Sequence, residues 1–449
     1  MNEHHPQPDF IEEMRADLAD WRQWLGRAVV FAYAAAAGLA VVVFTHLSEA
    51  AFDGFTALRE WQWWAPLVWT PLLTLAIAWC TRRFAAGASG SGIPQVMAAL
   101  SSKVEPERVS LFVSLRLAIA KMGLTAAGLL GGLPIGREGP SVQIAAGVMQ
   151  HAQRWLPERF AVNQQGLLVA GGAAGIAAAF NAPLAGVIFA IEELTRRIEH
   201  RSSGLIITAI VLAGLVAVAA FGNNTYFGVI RVPHLGWNYL LPALAVTVGC
   251  GLLGGFFARL LLVSITGGKD RFSAWRARHP LRFAAGCGFI CAVLGVVSGG
   301  AAFGSGYDYT RHLVEGNAPS LPLLYVTLRV LATWLAVWSG VPGGIFAPSL
   351  AIGAGVGADV AFFSQALHMD VSASAPLIAI GMAAFLAAVT QAPLTAFIIV
   401  MEMVDGHAMV LTLMAAALGA SLLSRWITVP LYAALAQAQL RRLDSSPMS

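Results

Sequence analysis

Leu133-Pro134-Ile135-Gly136-Arg137-Glu138-Gly139-Pro140-Ser141 places one carboxylate, Glu138, among glycines and prolines inside an otherwise apolar run. An ionised side chain at membrane depth is expensive, and its default reading is a functional site facing a polar pathway. Glycine and proline interrupt the helix there and free backbone N–H groups from intrahelical acceptors. Irregular backbone at that depth persists only where it is buried in protein or lines an aqueous cavity. A broken helix whose N-terminus points into the gap also presents a partial positive charge, as in many transporters. The alternative is a cytosolic loop that happens to hold an Arg-Glu pair. The apolar segments on both sides argue against it.

The composition supports the membrane reading. Hydrophobic residues make up 57% of the 449 residues, charged residues only 12%, and the mean hydropathy is +0.69. A soluble domain carries about twice that charge fraction, so the expected fold is an all-α polytopic membrane protein. The net charge of +4 and isoelectric point near 9.0 could suggest a nucleic-acid partner. The basic residues instead cluster beside apolar segments, which is the positive-inside pattern, and no nucleic-acid partner is expected. Cys80, Cys250, Cys287 and Cys291 all lie inside apolar runs and read as buried structural thiols rather than metal ligands. There is no HExxH, no Cys/His cluster and no GxxxxGK[ST] loop, so neither a metal nor any other cofactor is expected.

In chain order, residues 1–26 carry acids and lack the apolar core of a signal peptide. Phe10, Met14, Leu18, Trp21 and Leu25 recur at helical spacing, which predicts a cytoplasmic amphipathic helix lying on the lipid surface. A first membrane half is expected over 27–265, a basic linker over 266–282, a second half over 283–435 and a short cytoplasmic tail over 436–449. Within the first half, Arg82-Arg83 ends the segment 64–80 on the cytoplasmic side. A second glycine-rich break, Gly90-Ser91-Gly92-Ile93-Pro94, opens into a helix over 95–100; Ser91 there is either a free hydroxyl or an ordinary N-cap. A single long helix is expected from Arg108 to Pro134. Residues 166–193 are rich in Gly and Ala, which let membrane helices pack closely, and end at Glu192-Glu193 before Arg196, Arg197 and Arg201. In the second half, apolar segments are expected at 321–340, 343–366, 376–403 and 408–427.

The halves repeat. Gly171/Gly381, Ala182/Ala392, Pro183/Pro393, Leu184/Leu394 and Glu192/Glu402 coincide, and Gly136–Ser141 lies over Gly344–Ser349. Repeated halves with interrupted helices at corresponding places are the signature of a secondary transporter whose site lies between the repeats. Matching positions such as Glu192/Glu402 read as architectural. Two acids have no counterpart, since Glu138 aligns with Phe346 and Glu193 with Met403, and these departures mark the candidate chemistry.

Helix N-termini at the breaks favour an anion without a lysine or arginine side chain at the centre. A bare ion in a medium of low dielectric costs on the order of ten kcal/mol or more, yet full cations would hold it too tightly for throughput. Ionised Glu138 resembles the anion and can occupy its place; protonated, it can swing away. Glu193, toward the cytoplasm, would supply it with protons. A hydrolase using Ser91 or Ser141 as nucleophile is disfavoured, because no histidine or lysine is expected beside either.

GSGIP (90–94), GREGP (136–140), GGIFAP (343–348) and NAPLAG…EE (181–193) together resemble the CLC family of chloride channels and chloride/proton exchangers, over roughly residues 30–435. The resemblance implies a fold of two inverted-topology repeats with many tilted and broken helices, a homodimer with one pathway per subunit, and no enzymatic activity. It implies a central anion held by Ser91, with Gly92 and Ile93 beside it, by the amides of Ile345 and Phe346, and by Tyr432. It implies an outer site at the amides of Arg137 through Gly139, gated by Glu138. An acid at Glu193 goes with chloride/proton exchange, the alternative being a passive proton-gated chloride channel. Ser91 goes with chloride preference over nitrate, and GREGP with exclusion of the fluoride branch. Gln95 stands where an acid is common in the family. The implied setting is a bacterial inner membrane, with both termini cytoplasmic, membrane lipids around the chain, chloride and protons as its partners, and no cytoplasmic regulatory domains.

Overall fold

The computed structural model describes residues 21–445, apart from 158–159, 161, 196–199, 223–226, 228–235, 269–270, 317–322 and 370–372. The expected N-terminal surface helix therefore lies mostly outside the described residues, as do Arg196 and Arg197. Eighteen α-helices occupy the described residues. In chain order they are α1 (Trp21–Trp61), α2 (Pro66–Phe84), α3 (Ile93–Ala99), α4 (Leu115–Leu130), α5 (Glu138–His151) and α6 (Gln164–Ala179). Then come α7 (Pro183–Phe189), α8 (His200–Phe221), α9 (Leu240–Thr266), α10 (Arg271–Arg278), α11 (Pro280–Val297) and α12 (Tyr307–Val314). The last six are α13 (Leu324–Trp338), α14 (Phe346–Ala366), α15 (Ala375–Thr390), α16 (Pro393–Met403), α17 (Val410–Arg425) and α18 (Leu431–Ser445). Among the described residues, seven helical stretches are long and apolar enough to cross a membrane. The chain is an integral, all-α membrane protein.

Several expected segments are divided. The 108–134 stretch is a 3₁₀ turn, Pro106–Leu111, followed by α4, whose N-cap Ser114 accepts from the Leu117 N–H. The 376–403 stretch is two helices, broken where Gln391 takes φ 61° and Pro393 starts α16. The helix expected from residue 343 begins at Phe346. Described residues of the linker include the short helix α10, none of whose residues is buried.

The repeat expected from the motifs is visible in the backbone. After α6, Asn181 takes φ 53° and Pro183 opens α7; after α15, Gln391 takes φ 61° and Pro393 opens α16. Proline suits the first helical turn because its missing N–H would have had no acceptor there. The two elements then exchange carboxylates. Glu192, in the single π turn Ala190–Leu194 after α7, accepts from the N–H groups of Leu394 and Thr395 at 3.0 and 2.6 Å. Glu402 accepts from those of Leu184 and Ala185 at 3.3 and 2.7 Å. Each acid thus caps the start of the other half's helix, where the macrodipole favours a negative charge. The matched pair Glu192/Glu402 is architectural, as the repeat indicates.

Helices α6 and α15 are buried nearly all round, so they lie inside the protein rather than against lipid. Close approach of α14 to α15 depends on glycine: a Cβ on Gly353 would stand 2.2 Å from the Gly381 carbonyl oxygen, and one on Gly381 2.1 Å from that of Gly353. Small residues at such crossings let backbones meet directly, which drives helix association where lipid removes the hydrophobic incentive. The crossed carboxylates lead to a measurable expectation. Glu402→Ala leaves two amides of α7 without their acceptor and should cost about 1.5–3 kcal/mol, read as a lower thermal unfolding midpoint in detergent. Glu402→Gln, which keeps one oxygen acceptor, should fall between that variant and the parent. Identical midpoints for the alanine variant and the parent would show that these bonds carry no stability.

Candidate functional site

The central motif becomes the N-terminus of α5, and its repeat partner the N-terminus of α14. Arg137 and Ile345 are the two N-caps, and Glu138 and Phe346 the first helical residues. The two breaks are tied by a reciprocal pair of hydrogen bonds, Gly136 N–H to the Gly344 carbonyl at 2.8 Å and Gly344 N–H to the Gly136 carbonyl at 2.7 Å. A third bond, Gly343 N–H to the Gly90 carbonyl at 3.0 Å, joins the break before α3. The three interruptions therefore meet at one place in the interior. The first N–H groups of a helix have no intrahelical acceptor, so their convergence favours negative charge.

Glu138 is completely buried. One carboxylate oxygen accepts from the Ala347 N–H at 3.3 Å, in the first turn of α14, while the other has no hydrogen-bond partner. The acid of the first repeat thus rests on the helix start of the second. Glycine makes room for it, since a Cβ on Gly136 would lie 2.4 Å from that bound oxygen. The Arg137 guanidinium reaches Glu49 of α1 at 2.8 Å.

Ser91 is not an N-cap. That position belongs to Gly92, at φ 112°, and the Ser91 hydroxyl is buried with no hydrogen-bond partner. It sits against the α5 start, where a Cβ on Gly139 would stand 2.3 Å from its Oγ. The Tyr432 hydroxyl, in the first turn of α18, is likewise buried and without a regular hydrogen bond. It lies close to Ser91 and within electrostatic range of both Glu138 and Glu193. Its ring stacks on Phe346, centroids 5.9 Å apart at 15°, and Phe180 and Phe189 close the other sides of that ring. Glu193 lies in the π turn beside Glu192 and is half-buried.

Ile93, Glu138, Gly139, Ile345, Phe346 and Tyr432 are thus buried together with the Ser91 hydroxyl, and Arg137 stands at the α5 cap. Gly92 lies beside them. Its N–H is engaged by the Gln95 side-chain oxygen at 3.0 Å, so what it contributes is the missing Cβ, which would otherwise meet the Gly139 carbonyl oxygen at 2.5 Å.

Lys121 corrects the expectation that no lysine holds a partnered position beside Ser91. It is fully buried in α4, and its ammonium donates to the carbonyls of Ala88 at 2.7 Å and Gly90 at 2.6 Å, on the loop that carries Ser91. The signal was available: a lone lysine in Leu115-Arg116-Leu117-Ala118-Ile119-Ala120-Lys121 is costly at membrane depth and marks a partnered site. The same holds for Arg329, buried in α13 and donating to the carbonyls of Ala302, Phe303 and Gly304.

Fold and site together define an integral membrane protein of two interlocked repeats with a buried junction of helix N-termini between them. The chain belongs to the voltage gated chloride channel family, whose model matches residues 73–425. It is 32% identical to the "H(+)/Cl(-) exchange transporter ClcA" of Citrobacter koseri over 403 residues, which cover 87% of this chain and 83% of that protein. Its structure resembles that of a slow cyanobacterial Cl-/H+ antiporter, with TM-score 0.78 and 25% identity over 93% of this chain and 99% of that one. A CLC-type fluoride/proton antiporter shares the fold, with TM-score 0.74 and 20% identity over 96% of this chain and 99% of that one.

The Lys121 clamp has a direct test. Lys121→Met leaves two buried carbonyls without their donor, at about 1–3 kcal/mol each. The thermal midpoint of the purified variant should fall well below the parent's, and an unchanged midpoint would mean that the loop finds other donors.

Proposed function

We propose that this chain exchanges chloride for protons across a bacterial inner membrane, with Glu138 coupling the two. The observation that carries this is the Glu138 carboxylate: completely buried, held by one oxygen on a helix-start amide, beside two hydroxyls that have no partner. Chloride would take hydrogen bonds from the Ser91 and Tyr432 hydroxyls and from the Ile345 and Phe346 amides. A second, outer position would use the amides of Arg137 through Gly139, which the carboxylate covers when ionised. Hydroxyls and partial charges bind an anion weakly enough for it to leave. Protonated Glu138 no longer competes for the helix-start amides, so a bound proton and a bound anion at the outer position become linked.

Glu193 would exchange protons between the cytoplasm and this centre. Its support is its place: the repeat partner of a methionine, in a π turn of the kind often found at functional positions, and within electrostatic range of Tyr432. The exchange activity named for the Citrobacter relative supports coupled transport over the passive, proton-gated channel. One pathway per chain is supported by the origin of every group above in a single chain; the chain would work as a homodimer embedded in membrane lipids, as the family resemblance implies. Arg82, Arg83, Arg276, Arg278, Arg441 and Arg442 at helix ends support cytoplasmic termini. The halves would run over 27–265 and 283–435, joined by the basic linker 266–282.

The test is proton movement in reconstituted vesicles under a chloride gradient with no imposed proton gradient. The parent should drive protons uphill. Glu138→Gln and Glu193→Gln should each reduce that movement at least about a hundredfold, as loss of a proton-transfer group does, and Glu193→Gln should leave chloride flux largely intact. Rapid chloride flux without proton movement in the parent would make this chain a channel.

A further inference from the structure

The loop before α3 is held in an unusual way. Its four successive carbonyls, Gly87 to Gly90, are each engaged by a buried side-chain donor: Gly87 by Gln143, Ala88 and Gly90 by Lys121, and Ser89 by Gln95. The next side chain, Ser91, is left with no partner. Gln95 is itself 3% exposed, and it alone in this set makes two bonds of opposite sense. Its oxygen accepts from the Gly92 N–H and its nitrogen donates to the Ser89 carbonyl, closing the loop on both sides of Ser91. These partners fix the amide orientation, because an N–H needs the oxygen and a carbonyl needs the nitrogen.

Resting on the anion reading above, we propose that Gln95 is a positioning residue of the central anion site: its amide shapes the Ser89–Gly92 turn so that the Ser91 hydroxyl is presented free, and it does so without a charge. A carboxylate could not do both. It would satisfy the Gly92 N–H, but its second oxygen would face the Ser89 carbonyl oxygen, and its negative charge would stand next to the place of the anion. Only a protonated carboxyl, with an O–H toward Ser89, reproduces the bonds of the amide. The titratable groups around this loop are Lys121 from α4, Glu138 from α5 and Tyr432 from α18; α6, also packed against α3, has none.

The experiment is chloride binding by purified protein, measured calorimetrically, with Glu138→Gln as the parent so that the gate itself does not titrate. Added Gln95→Glu should bind chloride more nearly as the parent does at about pH 4, at or below the ordinary carboxyl pKa of about 4.3, and about tenfold more weakly at about pH 8, where the carboxyl is ionised. Added Gln95→Met removes both bonds and introduces no charge; it should bind more weakly than the parent at both pH values and with no added slope. Two results would overturn the proposal: affinities of the methionine variant within about twofold of the parent, or a loss in the glutamate variant that does not change with pH. Absence of chloride binding by the Glu138→Gln parent would overturn the anion reading, and the role of Gln95 with it.

Discussion

Two hydrogen bonds between Gly136 and Gly344 hold this molecule's interior in place. They join the starts of two helices from opposite halves, at the depth where water is unavailable to satisfy open backbone. Each break would be costly alone. Paired, the two breaks satisfy one another's peptide groups and leave the following N–H groups pointing into a shared space. The acid that fills this space, Glu138, belongs to one half and binds the other through the Ala347 amide. Neither half could form the site by itself.

The same principle operates a second time, toward the other end of the repeats. Glu192 and Glu402 each cap the helix of the opposite half. A membrane protein cannot rely on the hydrophobic effect to hold its helices together, because lipid tails are as apolar as leucine. Crossed carboxylates and glycine-mediated backbone contacts provide specific adhesion instead. Against that frame Glu193 stands out: it follows Glu192 directly, yet its repeat partner is Met403, so the symmetry gives it no structural task.

Buried charge is handled in two ways here. Lys121 donates to two backbone carbonyls and Arg329 to three, so each buried cation is held by peptide dipoles. Glu138 has only one oxygen bound and the other free. The cations hold loops through these bonds, although Arg329 Nε, like one oxygen of Glu138, is buried without a hydrogen-bond partner; what sets the acid apart is that its proton can come and go. An under-satisfied buried group is the kind that can exchange its partner for a proton or yield its place to an ion.

The sequence alone determined the membrane class, the repeat and the identity of the breaks. Each is a property of composition or spacing: apolar fraction, matched motifs, and glycine and proline where a helix must stop. It also separated Glu138 and Glu193 from Glu192 and Glu402, because the repeat itself distinguishes shared from unshared residues. Tertiary structure alone decided which groups meet. Tyr432 reaches Ser91 across most of the chain's length, Lys121 turns back to the loop before α3, and the Gly92 amide is taken by Gln95. Helix boundaries within long apolar runs, such as those at Ser114 and Gln391, were also settled there. Hydrophobic pattern reports what is buried, and spacing reports what repeats. Neither encodes which distant donor finds which acceptor, because that depends on the packing of whole helices.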